Sequence, residues 1–531
     1  MDGLLRVAGR YDHGDRPAHM KVLTAERMRE VDRATIELGI PGIVLMENAG
    51  HRVMEFLAER FSPLSSQRIV VLCGKGNNGG DGLVIARQLF TRIRPQSLTV
   101  VLLADPAELK GDAAANYRML MACGCPVARA VTPGTLTTTL VIDALLGTGI
   151  SGPASGPMLE GIRSINTSFP LAKVVAVDIP SGMVSDGGDS EGEVARADAT
   201  VTFTAPKPAH VLPPNCNRVG ELRVGAIGSP ESLYEDVWLE VAEPRHFARL
   251  LEARPRAGHK GTFGHVLTIA GSRGKTGAAA LAGLAALRAG AGLSTVASAA
   301  SAIPVIAAHA AEVMTEPLPE TSDGAVSSEA VASGRLSAVT DGKTVVAMGP
   351  GLGRTADAAA LVGRVLADCA QPVVLDADAL APEIRGAEGR VRVLTPHPGE
   401  MARLTGLSTA AVQSDRVGTA RAFAREREVI LVLKGERTVI AFPDGRVWIN
   451  PTGTAAMGTG GSGDVLTGLL AGMLAQMPDD AATAVPGAVY LHGLAGEIGA
   501  RSLGEKCLIA GDILEYLPDA LEECAALPHR L

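Results

Sequence analysis

Along most of the chain, short unbroken runs of Val, Ile and Leu end in glycine turns and alternate with stretches whose apolar residues recur every three to four positions. An unbroken apolar run marks a strand covered on both faces. Its alternation with amphipathic helices predicts parallel βα units. RIVVLCG, LTVVLLAD, LVIDALLG, KVVAVDIPSG and ATVTFTA form a first series of predicted strands, and GHVLTIAG, TVVAMGPG, PVVLDAD, VRVLTP and EVILVLKG a second. Between them the pattern pauses in APKPAHVLPPNCNRVG and GSPESLYEDVWLE, which are rich in Pro, Asn and Gly. The reading is two α/β domains, residues 20–230 and 246–531, joined by a linker at 231–245 and preceded by a disordered extension at 1–19.

That extension has mixed charge and loop-forming residues and no apolar core of the kind a signal peptide needs. The Ala-rich stretch from Ala278 to Ala311 comes nearest to a membrane span. Arg288, Pro304 and many small residues break it into an expected core helix, strand and helix. No membrane association is expected.

Composition sharpens the class. Among 531 residues, 47% are hydrophobic, only 3% are aromatic and 62 are glycine, which suits Ala/Val/Gly-rich parallel packing with tight βα turns. A formal charge of −8, with no Lys/Arg-rich run, argues against nucleic-acid partners. Seven scattered cysteines without a C-x-x-C pair suit a reducing compartment, and a cytoplasmic location is expected.

Candidate chemistry gathers at the glycine loops. MGTGGSGDVLTGLLAG, residues 457–472, places Asp464 where a helix begins, because Val465, Leu466, Leu469, Leu470, Met473 and Leu474 follow at helical spacing. Glycines ahead of a helix let backbone N–H groups approach an anion, aided by the helix dipole. The competing reading is that Asp464 merely caps the helix. Gly74, Gly76 and Gly79 in GKGNNGG match G-x-G-x-x-G, but so do Gly147, Gly149 and Gly152, and Gly458, Gly460 and Gly463. Three matches in one glycine-rich chain make the pattern a weak sign of a dinucleotide site. AGSRGKTG is not a P-loop, since Ile269 stands where the first glycine belongs. The first loop is polar at Asn77, Asn78 and Asp81, residue types that hold hydroxyls or a hard cation. Asp143, Asp178 and Ser181 end predicted strands, where open α/β sheets bind ligands. Each aspartate could equally cap a helix or bind turn amides.

GNNGGDG, DALLGTG and VDIPSG, in that order, resemble the NAD(P)H-hydrate epimerase domain from about Met20 to residue 230. GPGLG, TPHPGE, LKGERTVI and NPTGTAAMGTGGSGDVLTG resemble the ADP-dependent NAD(P)H-hydrate dehydratase domain of the ribokinase-like superfamily. The resemblance implies two three-layer α/β domains, an N-terminal Rossmann-like sheet and a C-terminal ribokinase-like sheet. Their substrates are hydrates of NADH and NADPH, NADHX and NADPHX, in which water has added across a nicotinamide double bond to give two epimers. The first domain would interconvert the R and S forms. The second would dehydrate the S form while ADP becomes AMP and phosphate.

Carried over residue by residue, Asn77, Asn78, Gly79, Gly80 and Asp81, with Gly147, Thr148, Gly149, Ile150, Ser151, Gly152 and Pro153, would bind the hydrate's phosphates and ribose. Asp178 would be the acid/base carboxylate, and Asn78, Asp143 and Ser181 a potassium site. In the second domain Ala278, Ala279, Gly353 and His397 would meet the hydrate, and Lys434, Gly435, Glu436, Arg437, Thr438, Gly460, Gly461 and Gly463 the nucleotide. Asp464 would be the base that deprotonates the attacking hydroxyl. Mg²⁺ is expected, with Glu400 in its outer shell, and the chain is expected to form homo-oligomers.

The sequence departs from that family at Lys275, where an aromatic residue or methionine is usual. It departs again at Thr454, Ala455 and Ala456, where Asn-Pro-Gly is common, and at Ser462, where Thr is common. Three other readings share some of these residues: a ribokinase-like vitamin or sugar kinase with an accessory nucleotide-binding domain, an NAD-dependent oxidoreductase, and a non-catalytic nucleotide sensor.

Overall fold

The computed structural model describes residues 20–131, 137–150, 152–187 and 189–526. The expected extension at 1–19 and Ser151 lie outside them. The chain divides into two units, Met1–Leu239 and Glu240–Leu531.

The first unit is built on a seven-stranded sheet of β1 (Arg68–Cys73), β2 (Ser97–Leu102), β3 (Val127–Ala128), β4 (Leu140–Ala144), β5 (Lys173–Val177), β6 (Ala199–Phe203) and β7 (Glu221–Gly225). Its order is β3-β2-β1-β4-β5-β6-β7 and every pairing is parallel. The strand order reverses between β1 and β4, and ligands bind outside the carboxyl ends of strands at such a point. Side chains alternate across the pleat. Ile69, Val71 and Cys73 enter one apolar core with helices Gly42–Phe61, Asn77–Gln88 and Gly111–Ala122, while Val70 and Leu72 enter another with helix Gly156–Thr167. Burial on both faces is why these strands read as unbroken apolar runs.

The second unit carries β8 (Leu239–Val241), β9 (His265–Ile269), β10 (Leu293–Ala299), β11 (Met314–Leu318), β12 (Val345–Met348), β13 (Val373–Leu375), β14 (Arg392–Leu394), β15 (Ile430–Leu433), β16 (Val439–Ala441) and β17 (Val447–Ile449). The order is β11-β10-β9-β12-β13-β14-β15-β16-β17-β8. Pairing is parallel from β11 to β15, then antiparallel through β16 and β17. The Ala-rich stretch forms helix Thr276–Arg288, β10 and helix Ile303–His309. Among the described residues no helix is long and apolar enough to cross a membrane.

Helix Ser462–Gln476 lies against helix Thr276–Arg288 with backbone nearly touching backbone. A Cβ on Gly468 would collide with the Ala282 carbonyl oxygen, and one on Gly472 with that of Ala286. The small residues that make both stretches look featureless are therefore what lets the two helices meet. The polar segment Asn77–Asp81, read as a loop, is instead the first turn of helix Asn77–Gln88. Residues 205–245, read as a pause and a linker, contain β7 and β8.

Candidate active sites

At the reversal between β1 and β4, Gly74 and Gly79 are required by packing alone. A Cβ on Gly74 would collide with the Leu145 carbonyl oxygen, and one on Gly79 with that of Gly74. Gly76 faces open space. The tight turn sets Asn78 against the end of β4, where its amide donates to the Leu146 carbonyl at 3.0 Å. There Asp143, wholly buried, accepts from the Ser181 hydroxyl at 2.6 Å, the Ser181 N–H at 2.9 Å and the Leu145 N–H at 3.3 Å. Burial raises its carboxyl pKa, partly offset by the hydrogen bonds from Ser181 and Leu145. Asn78, Asp143 and Ser181 thus come together from three elements, and the Asn78 Oδ1 is buried without a hydrogen-bond partner.

Asp178 follows β5 with φ of 63°, in a tight turn closed by the Ile179 N–H donating to the Val177 carbonyl at 2.8 Å. Such turns are strained and are held by their surroundings. Here the restraint is a buried cation: Lys207, 1% exposed, donates from Nζ to Asp178 Oδ1 at 2.7 Å and to Thr202 Oγ1 at 2.8 Å. Thr202 donates in turn to Asp178 at 2.9 Å. Burial works to raise the Asp178 carboxyl, but the Lys207 charge and these hydrogen bonds outweigh it and hold the pKa below the ordinary value.

Asp178 and Lys207 line a cavity of about 1040 Å³, together with Asp32, Asn77, Asn78, Asp81, Gly147, Thr148, Gly149 and Ile150. Gly79, Gly80, Gly152 and Pro153 stand off it: Gly80 packs under Met46, and Pro153 faces Gly192. Asp81 is driven well above the usual carboxylate value, by burial first and then by Asp178 and Asp32. Asp32, Thr202 and Lys207 escaped the sequence reading. Lys207 lies in the Pro-rich segment where the strand pattern pauses, and Asp32 on a helix that carries no motif.

The second constellation lies at the carboxyl ends of β13, β14 and β15. Asp376, 1% exposed, accepts from Thr395 Oγ1 at 2.7 Å, Lys434 Nζ at 2.6 Å and Thr467 Oγ1 at 2.9 Å. Lys434 also lies 4.0 Å from the buried Glu400, so it is more than an ordinary strand-end charge. A Cβ on Gly463 would sit 3.5 Å from the Lys434 Nζ and 3.7 Å from the Asp376 Oδ2, so the glycine stretch opens directly beside this pair.

The helix that follows starts at Ser462, with Gly461 as its cap at φ of 97° and no side-chain capping bond. Asp464 stands in the first turn beyond the cap. Its carboxyl is pushed up to about 6, by burial first and then by Asp376 and Asp378, against a lowering pull from Lys434.

The Lys434–Thr438 segment is held by Arg416, a buried guanidinium that donates to the carbonyls of Leu433 at 3.2 Å, Lys434 at 3.3 Å and Glu436. Within it, Gly435 and Arg437 have positive φ, and Thr438 donates to the Gly435 carbonyl at 3.0 Å. Gly460 faces open space. Gly353 donates from N–H to Asp378 at 2.9 Å, and Arg354 and Lys275 lie 3.3 and 3.8 Å from the same carboxylate. Ala278 lies beside Gly351, whereas Ala279 is fully buried beneath Gly271 and offers a ligand no side-chain surface.

His397 is a helix cap. Its Nδ1 accepts from the N–H groups of Gly399 at 3.0 Å and Glu400 at 3.3 Å, and Glu400 accepts from the His397 N–H at 2.9 Å. Over half of its side chain remains exposed beside Glu400. The sequence reading missed Asp376, Asp378 and Arg416. The DAD that ends PVVLDAD was the available signal, since polar residues at strand carboxyl ends face ligands. Among the described residues no group of three or more His, Cys, Asp or Glu side chains is arranged to hold a metal ion.

Two families match the chain: the YjeF-related protein N-terminus over residues 42–209 and NAD(P)H-hydrate dehydratase over residues 266–518. The bifunctional NAD(P)H-hydrate repair enzyme of Moorella thermoacetica is 44% identical over 529 residues, covering 94% of this chain and 97% of its own. That of Thermofilum pendens is 38% identical over 519 residues, covering 94% and 96%. A crystal structure of the ADP/ATP-dependent NAD(P)H-hydrate dehydratase from Bacillus subtilis, co-crystallized with ATP/Mg²⁺, is 36% identical and covers 54% of this chain and 98% of its own, with a TM-score of 0.47. With near-complete coverage on both sides and both families in order along one chain, the protein belongs to the bifunctional NAD(P)H-hydrate repair enzymes, which join an NAD(P)H-hydrate epimerase to an NAD(P)H-hydrate dehydratase.

Proposed function

We propose that the cavity around Asp178 is the epimerase site, within an epimerase domain of residues 20–230, and that the constellation around Asp464 is the dehydratase site, within residues 246–531. ADP is the proposed phosphoryl donor. The observation that carries the assignment is Asp464. It is a carboxylate with a pKa of about 6, in the first turn of a glycine-led helix, beside the Lys434–Asp376 pair.

Hydroxide is a poor leaving group near neutral pH, so the hydrate's hydroxyl is activated before it departs. Asp464 takes the hydroxyl proton as that oxygen attacks the terminal phosphorus of ADP, and AMP leaves. Phosphate then departs from carbon as the neighbouring C–H proton is lost, which restores the ring double bond. Lys434, the N–H groups of Gly460, Gly461 and Gly463 and the helix terminus stabilise the charge on the transferring group. Gly435, Glu436, Arg437 and Thr438, shaped by Arg416, complete the nucleotide site. Gly353, Ala278 and the exposed ring of His397 border the hydrate.

Glu400 offers the oxygen donors that a hard divalent ion takes, and Mg²⁺ held there through water and phosphate oxygens would neutralise phosphate charge. In the first unit the orphaned Asn78 Oδ1, the Asp143 carboxylate and the Ser181 hydroxyl suit potassium, an ion that would brace the Asn77–Asp81 turn against the Gly147–Ile150 loop. All seven cysteines are free, which supports a reducing cytoplasmic setting.

The test is recovery of reduced-nicotinamide absorbance from a mixed-epimer NADH hydrate with Mg²⁺, K⁺ and either ADP or ATP. Full recovery with ADP in wild type, none with Asp464→Asn, and slow conversion of the R epimer with Asp178→Asn is the expected pattern. A stable phosphorylated product without absorbance recovery would overturn it in favour of a small-molecule kinase.

A further inference from the structure

Asp178 is one carboxylate, yet inverting a hydroxyl-bearing carbon exchanges two protons, one given to the departing oxygen and one taken from the arriving one. The cavity contains a second candidate for that task. Asp32, on helix Ala25–Glu37, lines the same cavity as Asp178, and its Oδ1 is buried without a hydrogen-bond partner. Nothing in the local fold explains a half-buried carboxylate there. Among the described residues it caps no helix and forms no ion pair within 4 Å.

We infer that Asp32 is the second catalytic carboxylate of the epimerase, working with Asp178 as an acid and base pair on the hydrate's hydroxyl-bearing carbon. The inference rests on the epimerase reading of this cavity.

The environments of the two groups divide the roles. Lys207 is bonded to Asp178 and keeps it ionised, whereas Asp32 has no such partner and burial lifts its carboxyl to about 6, with Lys207 opposing and Asp178 adding to the shift. Pairs of carboxyl groups whose surroundings push their pKa values apart are suited to act as acid and base. Asp81, Asp105, Glu108 and Asp112 also line the cavity, and burial first, then Asp178 and Asp32, drives the Asp81 carboxyl well above its ordinary value. Arg29, on the same helix as Asp32, is the other charged group of that element on the cavity.

In the R to S direction, protonated Asp32 gives its proton to the hydroxyl. The C–O bond breaks, the lone pair of the ring nitrogen forms a C=N bond, and water departs. Water then adds to the other face of that carbon, the C=N electrons return to nitrogen, and Asp178 takes the proton of the added water. The reverse direction exchanges the two roles, and solvent resets the protons between turnovers.

The test is the rate of R to S conversion of NADH hydrate by wild type, Asp32→Asn, Asp32→Glu and Asp178→Asn across pH 5 to 9. ADP-dependent dehydration of pure S hydrate by the same proteins serves as the folding control. Expected are a loss of about 10²-fold or more in kcat for Asp32→Asn with KM nearly unchanged, partial rescue by Asp32→Glu, and disappearance of the wild-type decline above about pH 6. Unchanged kcat with a raised KM, or an alkaline decline that survives in Asp32→Asn, would overturn the inference by reducing Asp32 to a binding group. Wild-type protein that fails to exceed the spontaneous rate while dehydrating S hydrate normally would instead overturn the epimerase reading itself.

Discussion

Asp464 and Asp178 are half-buried carboxylates with opposite surroundings, and their pH behaviour should separate accordingly. A base works only when ionised. With Asp464 lifted to about 6, nucleotide-dependent dehydration should fall as pH drops through about 6 rather than near 4. The same shift acts on stability. Because the folded pKa exceeds the ordinary value of 3.8, the contribution of this group is fully present below 3.8 and is lost as pH rises through about 6. Asp464→Asn is thus expected to abolish absorbance recovery yet raise the melting temperature at pH 8, with little change at pH 4. A lowered melting temperature at pH 8 would contradict the burial account.

At Asp178 the sign reverses, because Lys207 holds the carboxyl low. Lys207→Met leaves that carboxylate buried and unpaired, a loss of about 3–5 kcal/mol for such pairs. The acid limb of epimerisation should then move to higher pH. An unmoved limb would show that Lys207 does not set the Asp178 charge state.

At the scale of elements, glycine has two distinct uses that a pattern match does not separate. Gly468 is buried at a helix contact where a Cβ would strike the Ala282 backbone, whereas Gly460 faces open space. Gly468→Val should unfold the second unit at a markedly lower temperature, in line with the 1–3 kcal/mol or more typical of overpacking. Gly460→Ala should leave the melting temperature unchanged while weakening ADP binding, measured by calorimetry. Equal melting temperatures for the two variants would refute the close helix contact. The same distinction explains why three G-x-G-x-x-G matches carried little information. Gly74 and Gly79 serve backbone packing at the end of β1, while Gly149 lines the cavity.

At the scale of the molecule, each unit has its own sheet and the residues proposed for one of the two sites, so the two activities should be separable. Asp178→Asn should retain dehydration of pure S hydrate, and Asp464→Asn should retain epimerisation. Mixing the two variants should restore full recovery from R hydrate, because the S epimer released by one protein can be taken up by the other. Recovery limited to the S fraction in the mixture would point to obligatory transfer within a chain.

Apolar runs and glycine turns were sufficient to indicate parallel α/β units, since a strand buried on both faces leaves an unbroken apolar mark whatever its neighbours. β1, β2, β4, β5, β6, β9, β12, β13, β14 and β15 were legible for that reason, and β10 as the strand expected within the Ala-rich stretch. β3, β7, β8, β11, β16 and β17 were not, being short, near a sheet edge or interrupted by polar residues. Asp178 and Asp464 were legible because they sit in local motifs. Lys207, Asp32, Asp376 and Arg416 were not, because what makes each of them matter is a partner far away in sequence: Asp178 for Lys207, a shared cavity for Asp32, Lys434 for Asp376 and three loop carbonyls for Arg416. Local sequence determined where strands end and glycines gather. Tertiary structure alone decided which charges are buried together, and burial together is what sets their protonation.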